Sequence, residues 1–417
     1  VPHASIDVRR PRIHIVVAEG RGSPVRTRCG CPVAWEGPLD QGLALTMLAP
    51  WLVLGAMGAA APPPPFAPPS GSQPVGRWVG SIPGLPNSKL PDAPTLGNGY
   101  AGVLLGSSGA ELELWLNTNA MWGCTPGPTG PNALPVPALC SRVGLGGVRL
   151  APATASGVAL GNFSAEQHIS SATLLTRQRS AAGSTLETTT VMAPEKNVRP
   201  ARHCPLSQSI AHTEPTRRCG RPQVIVTTLN WTAVGTDPQT LAINVSAWVL
   251  AGGGEASVAD GVLLAQRNSS AVPPHTGGSG EYRRVRTAIA VAVGGGGSLA
   301  HTGTGAEPAQ QLAFGLLNLA SGSPSSVVTA LTDTLISGNE HNPALDAATL
   351  ARSTAPHAVA AASAAYWEAF WSKSSITLPT APDLEGFWRG AQYISAAMSA
   401  SEGFLRQQQG LIPPSGL

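Results

Sequence analysis

Short runs in which apolar and polar residues alternate dominate the middle of the chain. In the segment 110–116, Leu112, Leu114 and Leu116 lie on one face. An alternation with a period of two residues predicts a β-strand with one buried face. Similar runs lie at 172–179, 185–192, 223–231, 240–250, 258–266, 285–293, 311–318 and 326–332.

Glycine-rich turns such as 252–254 and 294–297 separate these runs, and no helical period lies between them. Many strands at short spacing predict an antiparallel sandwich. Since a simple sandwich needs only about 100 residues, the β pattern over 95–336 predicts two large stacked sheets. The expected fold class is therefore mostly β.

The pattern becomes helical after Pro343. Residues 346–373 are rich in alanine and carry aromatic residues at helical spacing, namely Tyr366, Trp367, Phe370 and Trp371. A further helix is predicted to open at Pro382, because proline suits the first helical position and the acids Asp383 and Glu385 suit the first turn. Its apolar stripe contains Leu384, Phe387, Trp388, Ala391, Ile394 and Met398. A helix this apolar needs packing partners.

The first methionine, Met47, opens an apolar run that ends in small residues at 59–61. Such a run is typical of a secretory signal peptide, although the apolar stretch 42–61 is also long enough for a membrane anchor. A mistranslated segment is the third interpretation. We therefore expect 1–46 to be upstream or leader sequence outside the fold, 47–61 to be a signal peptide or anchor, and 62–80 to be a Pro-rich linker.

Two further features favour secretion, with a membrane-anchored protein of the secretory pathway as the alternative. The glycosylation sequon Asn-x-Ser/Thr occurs at Asn162, Asn230, Asn244 and Asn268. Four cysteines form two local pairs, Cys124 with Cys140 and Cys204 with Cys219. These pairs are compatible with local disulfides in an oxidising compartment, and free thiols are the alternative. The basic stretch 199–221, which holds the second pair, is either a disulfide-closed loop or a retained intron.

Composition and motifs exclude several classes of protein. Only 12% of the 417 residues are charged and the net charge is +3, which argues against a nucleic-acid-binding protein steered by a basic field. The sequence holds no phosphate-binding loop, no Gly-x-Ser-x-Gly elbow, no His-Glu-x-x-His and no Cys-x-x-Cys. No nucleic acid, cofactor or metal is therefore expected.

Several candidate motifs have simpler structural explanations. The segment 97–102 matches Gly-x-Gly-x-x-Gly, but prolines precede it and a strand follows it, so we interpret it as a tight turn. Glu111 and Glu113 share a strand face and could form a carboxylate pair, although a solvent-facing strand explains them more simply. A metal or acid–base role for 340–341 is equally weakly supported. Five tryptophans could stack on sugars, with core packing as the default for each: Trp115, Trp122, Trp367, Trp371 and Trp388.

Two passages carry a resemblance to a known family. The first is Leu96-Gly97-Asn98-Gly99 with Gly102, followed by 114–123, and the second covers 366–376, 386–393 and 413–414. Together they resemble the N-terminal part of glycoside hydrolase family 95, the α-L-fucosidase and α-L-galactosidase family among the six-hairpin glycosidases. Asn119 stands where many members carry an acid. The matching positions are Gly97, Asn98, Gly99, Gly102, Asn117, Asn119, Trp122, Trp367, Trp371, Tyr393, Pro413 and Pro414.

The resemblance implies a β-supersandwich over 81–345, a helical linker over 346–374 and the first elements of a truncated (α/α)6 barrel over 375–417. In the family, the general acid and the groups that activate water lie inside that barrel. No catalytic residue is therefore assigned in this chain, and the matching positions are expected to pack where sandwich and barrel meet.

The function expected from the resemblance is the N-terminal portion of a secreted, inverting, α-L-fucosidase-like glycosidase. Its substrate would be an oligosaccharide or polysaccharide, and the fragment itself would be inactive. A non-catalytic carbohydrate-binding sandwich and a truncated gene-model product are the alternatives. A membrane partner is expected only if 42–61 is retained as an anchor.

Overall fold

The computed structural model describes residues 76–82, 93–118, 121–125, 139–142, 144–194, 223–269, 285–334, 342–373, 376, 378 and 380–398. Every expectation for 1–61 and for the basic stretch 199–221 lies outside these residues. The same holds for Asn119, Cys204, Cys219, Glu340, His341, Pro413 and Pro414.

The described residues form eighteen strands, so the mostly β fold class is confirmed. In chain order they are β1 Gly76–Val79, β2 Thr95–Gly97, β3 Ala101–Ser107, β4 Leu112–Thr118, β5 Trp122–Thr125, β6 Leu139–Arg142, β7 Gly146–Pro152, β8 Leu160–His168, β9 Thr173–Ser180, β10 Thr185–Met192, β11 Gln223–Thr232, β12 Thr240–Leu250, β13 Gly254–Ala259, β14 Val262–Asn268, β15 Arg286–Val293, β16 Ala300–Glu307, β17 Gln310–Ala320 and β18 Ser325–Asp333.

Two large antiparallel sheets enclose one core. The nine-stranded sheet has the order β1-β8-β9-β10-β11-β18-β15-β14-β13, and the seven-stranded sheet has the order β16-β17-β12-β7-β4-β3-β2. Leu114 and Ile243 of the smaller sheet pack with Ile225 and Ile289 of the larger one in a single buried cluster. The leucines of β4 face this cluster, as their alternation predicts. Strands β5 and β6 form a separate hairpin.

Strand β1 and the run at 258–266 are among the places where the structure departs from the sequence pattern. Strand β1 lies inside the stretch 62–80 that was expected to be linker, and it pairs with β8, so the sandwich begins at least as early as Gly76. The run at 258–266 is a hairpin rather than one strand, because Asp260 and Gly261 adopt positive φ angles of 48° and 75° and turn the chain from β13 into β14. A polar residue followed by glycine is typical of such a turn.

In the described part of the chain, three α-helices follow the sandwich, namely α1 Pro343–Ser353, α2 Pro356–Trp371 and α3 Pro382–Met398. Helix α1 begins at a cap in which the Asn342 side chain accepts a hydrogen bond from the Ala344 amide. Its buried stripe of small residues, which contains Ala347 and Ala351, packs on small residues of the outer face of the nine-stranded sheet, such as Ala290 and Ala330. No helix among the described residues is long and apolar enough to cross a membrane.

Helix α3 is divided between a buried and an exposed face. Tyr393 and Ala397 are buried against the sandwich. Much of the predicted apolar stripe is exposed, since Leu384, Phe387 and Ile394 retain 53%, 75% and 48% of their surface. Tyr393 and Ala397, in the C-terminal half of the helix, bind β2 and the β2–β3 turn.

Candidate functional site at the end of the sandwich

The turn between β2 and β3 ties the two large sheets together through Asn98. The Asn98 Oδ1 atom accepts hydrogen bonds from the amides of Tyr100 at 3.2 Å and Ala101 at 3.1 Å. Its Nδ2 atom donates to the carbonyl of Ala193 at 3.0 Å and to Oε1 of Gln223. Since Ala193 follows β10 and Gln223 begins β11, one side chain fixes the turn and anchors it to the end of the nine-stranded sheet.

A buried carboxylate lies next to this anchor. Asp333 ends β18 and is completely buried, and the Tyr100 hydroxyl donates a hydrogen bond to its Oδ2 atom at 2.5 Å. Burial of the hydroxyl, the nearby charge of Asp333 and this hydrogen bond all raise the pKa of Tyr100 well above its ordinary value. Tyr100 is therefore a proton donor that holds its proton at neutral pH.

Helix α3 contacts the same turn through its backbone. The Gly99 amide donates to the Ala397 carbonyl at 2.7 Å, and the Tyr393 hydroxyl donates to the Thr95 carbonyl at 2.8 Å. A Cβ atom on Gly97 would lie 2.5 Å from the same Ala397 oxygen, so the close approach of the helix requires glycine there. Gly99 has a φ of 86°, which side chains other than that of glycine rarely tolerate.

An aromatic cluster supports α3 from the other side. The ring of Trp367 in α2 lies 5.0 Å from that of Tyr393 and 5.4 Å from that of Phe370, measured between centroids. Trp371 lies 6.5 Å from Trp367 and donates from Nε1 to the carbonyl of Ile169, in the β8–β9 turn. Trp367 is buried, so core packing rather than sugar stacking describes it.

The structure brings together most of the described positions that carry the family resemblance. Gly97, Gly102 and Asn117 lie opposite one another across β2, β3 and β4. Trp122 begins β5, away from this row in the chain, and only its backbone is described. Tyr100, Gln223 and Asp333 complete the group and were not selected from the sequence. Tyr100 lies inside the matching segment 96–102, and this was the only signal that pointed to it.

The acids Glu111 and Glu113 do not form a free carboxylate pair. Both bind the guanidinium of Arg149 on the outer face of the seven-stranded sheet, where Glu113 Oε1 lies 3.0 Å from Nη2. Glu307 binds the same group at 3.2 Å. Burial raises the pKa of Glu111, and the charge of Arg149 opposes that shift. Glu111 and Glu113 are therefore held as ion-pair partners of Arg149.

The predicted glycosylation positions differ in exposure. Asn162, Asn244 and Asn268 are exposed, whereas Asn230 is half-buried within β11. Glycosylation of any of them stays a prediction. No group of three or more His, Cys, Asp or Glu side chains within the described ranges is arranged to hold a metal ion.

The β5–β6 hairpin places two cysteines opposite each other, since Cys124 pairs with Cys140 in the backbone register. Opposing Cα atoms in antiparallel pairs lie about 4.5–5.5 Å apart, which suits a disulfide. We propose this disulfide and expect Cys124→Ser to lower the free energy of unfolding by about 3 kcal/mol in oxidising buffer, because the bond closes a short loop. With a reductant present, wild type and variant should unfold alike. Complete alkylation of both thiols in the native, unreduced protein would contradict the proposal.

Two of the four tyrosines should resist alkaline titration. Burial raises the pKa of Tyr393 far above its ordinary value, as it does that of Tyr100. Both phenols ionise near pH 10 in the unfolded chain, so their contribution to stability is complete below that pH and is lost as the pH rises towards their folded values. Near-ultraviolet absorbance should show these two ionising only as the protein unfolds, and Tyr100→Phe should remove one late-ionising group. Titration of all tyrosines together near pH 10 in the folded protein would contradict this assignment.

Comparison with known proteins finds matches among solved structures alone. No protein-family model and no curated protein matches the chain. Among solved structures, the chain is similar to a protein named as a kojibiose phosphorylase from the human microbiome, with 9% identity and a TM-score of 0.45. The likeness covers 73% of this chain and 38% of that one, so the chain spans well under half of the neighbour's length. At this identity and TM-score the likeness carries no information about function.

Proposed function

We propose that the chain forms the sandwich and first helices of a glycoside hydrolase that acts on complex glycans, with α-L-fucosidase-like specificity. The docking of helix α3 on the Asn98 turn is the observation that carries this proposal. The two passages with the family resemblance come from opposite ends of the described chain, and Tyr393 of the second donates to Thr95, which directly precedes the first and lies 298 positions away. Their meeting at hydrogen-bond distance is what the resemblance requires of a sandwich joined to a helical domain.

The exposed stripe of α3 supports the same proposal. Leu384, Phe387 and Ile394 recur at helical spacing on the side of α3 that faces away from the sandwich. Further helices of a helical domain would bury this stripe. In this proposal that domain also supplies the two carboxyl groups that flank the scissile bond, one as general acid and one to activate water.

The complete reading frame provides the test. The transcript is sequenced through codon 417 and across codons 199–221, and its product is assayed for sugar release from aryl α-L-fucoside and α-L-galactoside. We expect the frame to continue into several hundred residues of paired amphipathic helices, and the product to release sugar. A stop codon directly after Leu417, or a full-length product that releases sugar from neither substrate, would overturn the proposal.

A non-catalytic carbohydrate-binding function is the second candidate, and the outer face of the seven-stranded sheet favours it. There Trp115 packs edge-on against Trp248, with centroids 4.7 Å apart, beside the polar groups of Arg149 and Glu113. Trp248 is completely buried, so the half-buried Trp115 is the indole of this pair that could meet a sugar, beside charged hydrogen-bonding groups. Titration of fucosylated oligosaccharides against tryptophan fluorescence tests it. A saturable response that Trp115→Ala removes would support binding on this face, and no response across the sugars would exclude it.

A further inference from the structure

Arg267 is a buried cation at the same end of the sandwich as Asp333. It lies on β14 and is only 9% exposed. Its Nε atom donates to the Gly252 carbonyl at 3.3 Å, and its Nη1 atom donates to the Gly144 carbonyl. Both acceptors are neutral, and among the described residues no carboxylate forms an ion pair with this guanidinium. A buried charge without a counter-charge is strongly destabilising.

Thr287 provides a second, independent observation. It lies directly opposite Arg267 in the register of β14 and β15. The residue is completely buried, and its Oγ1 atom has no hydrogen-bond partner among the described residues. Because buried hydroxyls are almost always hydrogen-bonded, such an atom needs a specific explanation.

These side chains belong to one row on the inner face of the nine-stranded sheet. Arg267 lies opposite Thr287, and Thr287 lies opposite Asp333 on β18. Each lies two positions from a residue of the shared core on its own strand, namely Ala265, Ile289 and Leu331, so the row lies on the face that points between the sheets. The row thus offers hydrogen-bond donors at one end and the Asp333 carboxylate, bound to Tyr100, at the other.

We propose that Arg267 and Thr287 bind an oxyanion of a sugar acid or a sugar phosphate at this end of the sandwich. A guanidinium can donate two parallel hydrogen bonds to a carboxylate or phosphate, and the Thr287 hydroxyl can donate a third. The negative Asp333 repels an anion, which places the oxyanion on the Arg267 side. This inference rests on the row alone and does not depend on a glycosidase function.

Thermal unfolding of the full chain tests the proposal, with inorganic phosphate, glucuronate and uncharged glucose as probes at constant ionic strength set by chloride. A ligand that binds only the folded state raises the unfolding midpoint in a saturable manner. We expect such a rise with phosphate, with glucuronate or with both, and none with glucose. A response to one anion alone identifies whether the site takes the phosphate or the carboxylate source of the oxyanion.

Two variants keep the test decisive. Thr287→Val retains shape and removes the hydroxyl, and we expect it to weaken the anion effect at least threefold in apparent Kd. Arg267→Gln should abolish the effect if the variant folds. Thr329→Val is the matched control, since Thr329 is also buried on the inner face but lies opposite Val291, away from Arg267. An anion effect that is absent in wild type, or equal in wild type and Thr287→Val, would overturn the proposal.

Discussion

Replacing Asn98 by alanine is expected to lower the free energy of unfolding by roughly 3 kcal/mol. The substitution removes an acceptor for the amides of Tyr100 and Ala101, and it removes the donor to Ala193 and Gln223. Gln223 is buried, so its side chain has no ready access to water. Urea unfolding followed by circular dichroism and tryptophan fluorescence measures the loss.

Asn98→Asp is the matched control for this prediction. An aspartate keeps an oxygen for the two turn amides and loses both donated hydrogen bonds. We therefore expect Asn98→Asp to lose stability as well. Its loss measures the anchor to the nine-stranded sheet, and the difference between its loss and that of Asn98→Ala measures the turn's own hydrogen bonds. An alanine variant within about 0.5 kcal/mol of wild type, the range of an ordinary surface substitution, would show that the turn does not depend on Asn98.

Replacing Trp367 by alanine should cost about 3–5 kcal/mol, the range for truncating a large buried aromatic side chain. Trp367 is almost fully buried and contacts the rings of Tyr366, Phe370, Trp371 and Tyr393. Its loss leaves a cavity between α2, α3 and the end of the sandwich. The same unfolding experiment measures the cost, and the near-ultraviolet circular dichroism of the cluster should diminish in the folded variant.

Trp388→Ala serves as the comparison, because Trp388 is a half-buried tryptophan of the neighbouring helix α3. We expect a clearly smaller loss there. If both variants lost the same free energy of unfolding, the ring cluster around Trp367 would stabilise the protein no more than a half-buried tryptophan does.

The period-two pattern predicted many of the long strands, but it missed β8 and β16, and it also missed a strand in which glycine carries the packing. Strands β10 and β12 begin and end where the alternation does. Strand β7 was not predicted, since it opens with two glycines. In the structure Gly147 lies between Trp115 on β4 and Trp248 on β12, and the missing side chain lets the two indoles meet above it. Glycine is favourable at that position because of the side chains on the neighbouring strands, so the sequence of β7 alone does not predict the strand.

The candidate site was accessible from the sequence only in part. The turn at 97–99 and Tyr393 followed from the family resemblance, and the close approach of α3 gives a physical reason for Gly97. Asp333 and Arg267 could not be placed, because strand pairing between segments that are far apart in sequence puts them in one row, and only Asp333 contacts the turn, through Tyr100. A single buried acid at the end of an apolar strand has no local pattern that distinguishes it.

The proposed function depends most directly on helix α3 being docked on the Asn98 turn. Hydrogen exchange of the α3 amides, compared between wild type, Gly97→Ala and Gly106→Ala, measures this docking. A Cβ atom at position 97 would collide with the Ala397 carbonyl at 2.5 Å, whereas one at position 106 makes an ordinary contact at 3.5 Å with Trp115. We predict protected α3 amides in wild type and Gly106→Ala and fast exchange of the same amides in Gly97→Ala, with the sheets still protected. Equally fast exchange of α3 in wild type would contradict the docking and the function proposed from it.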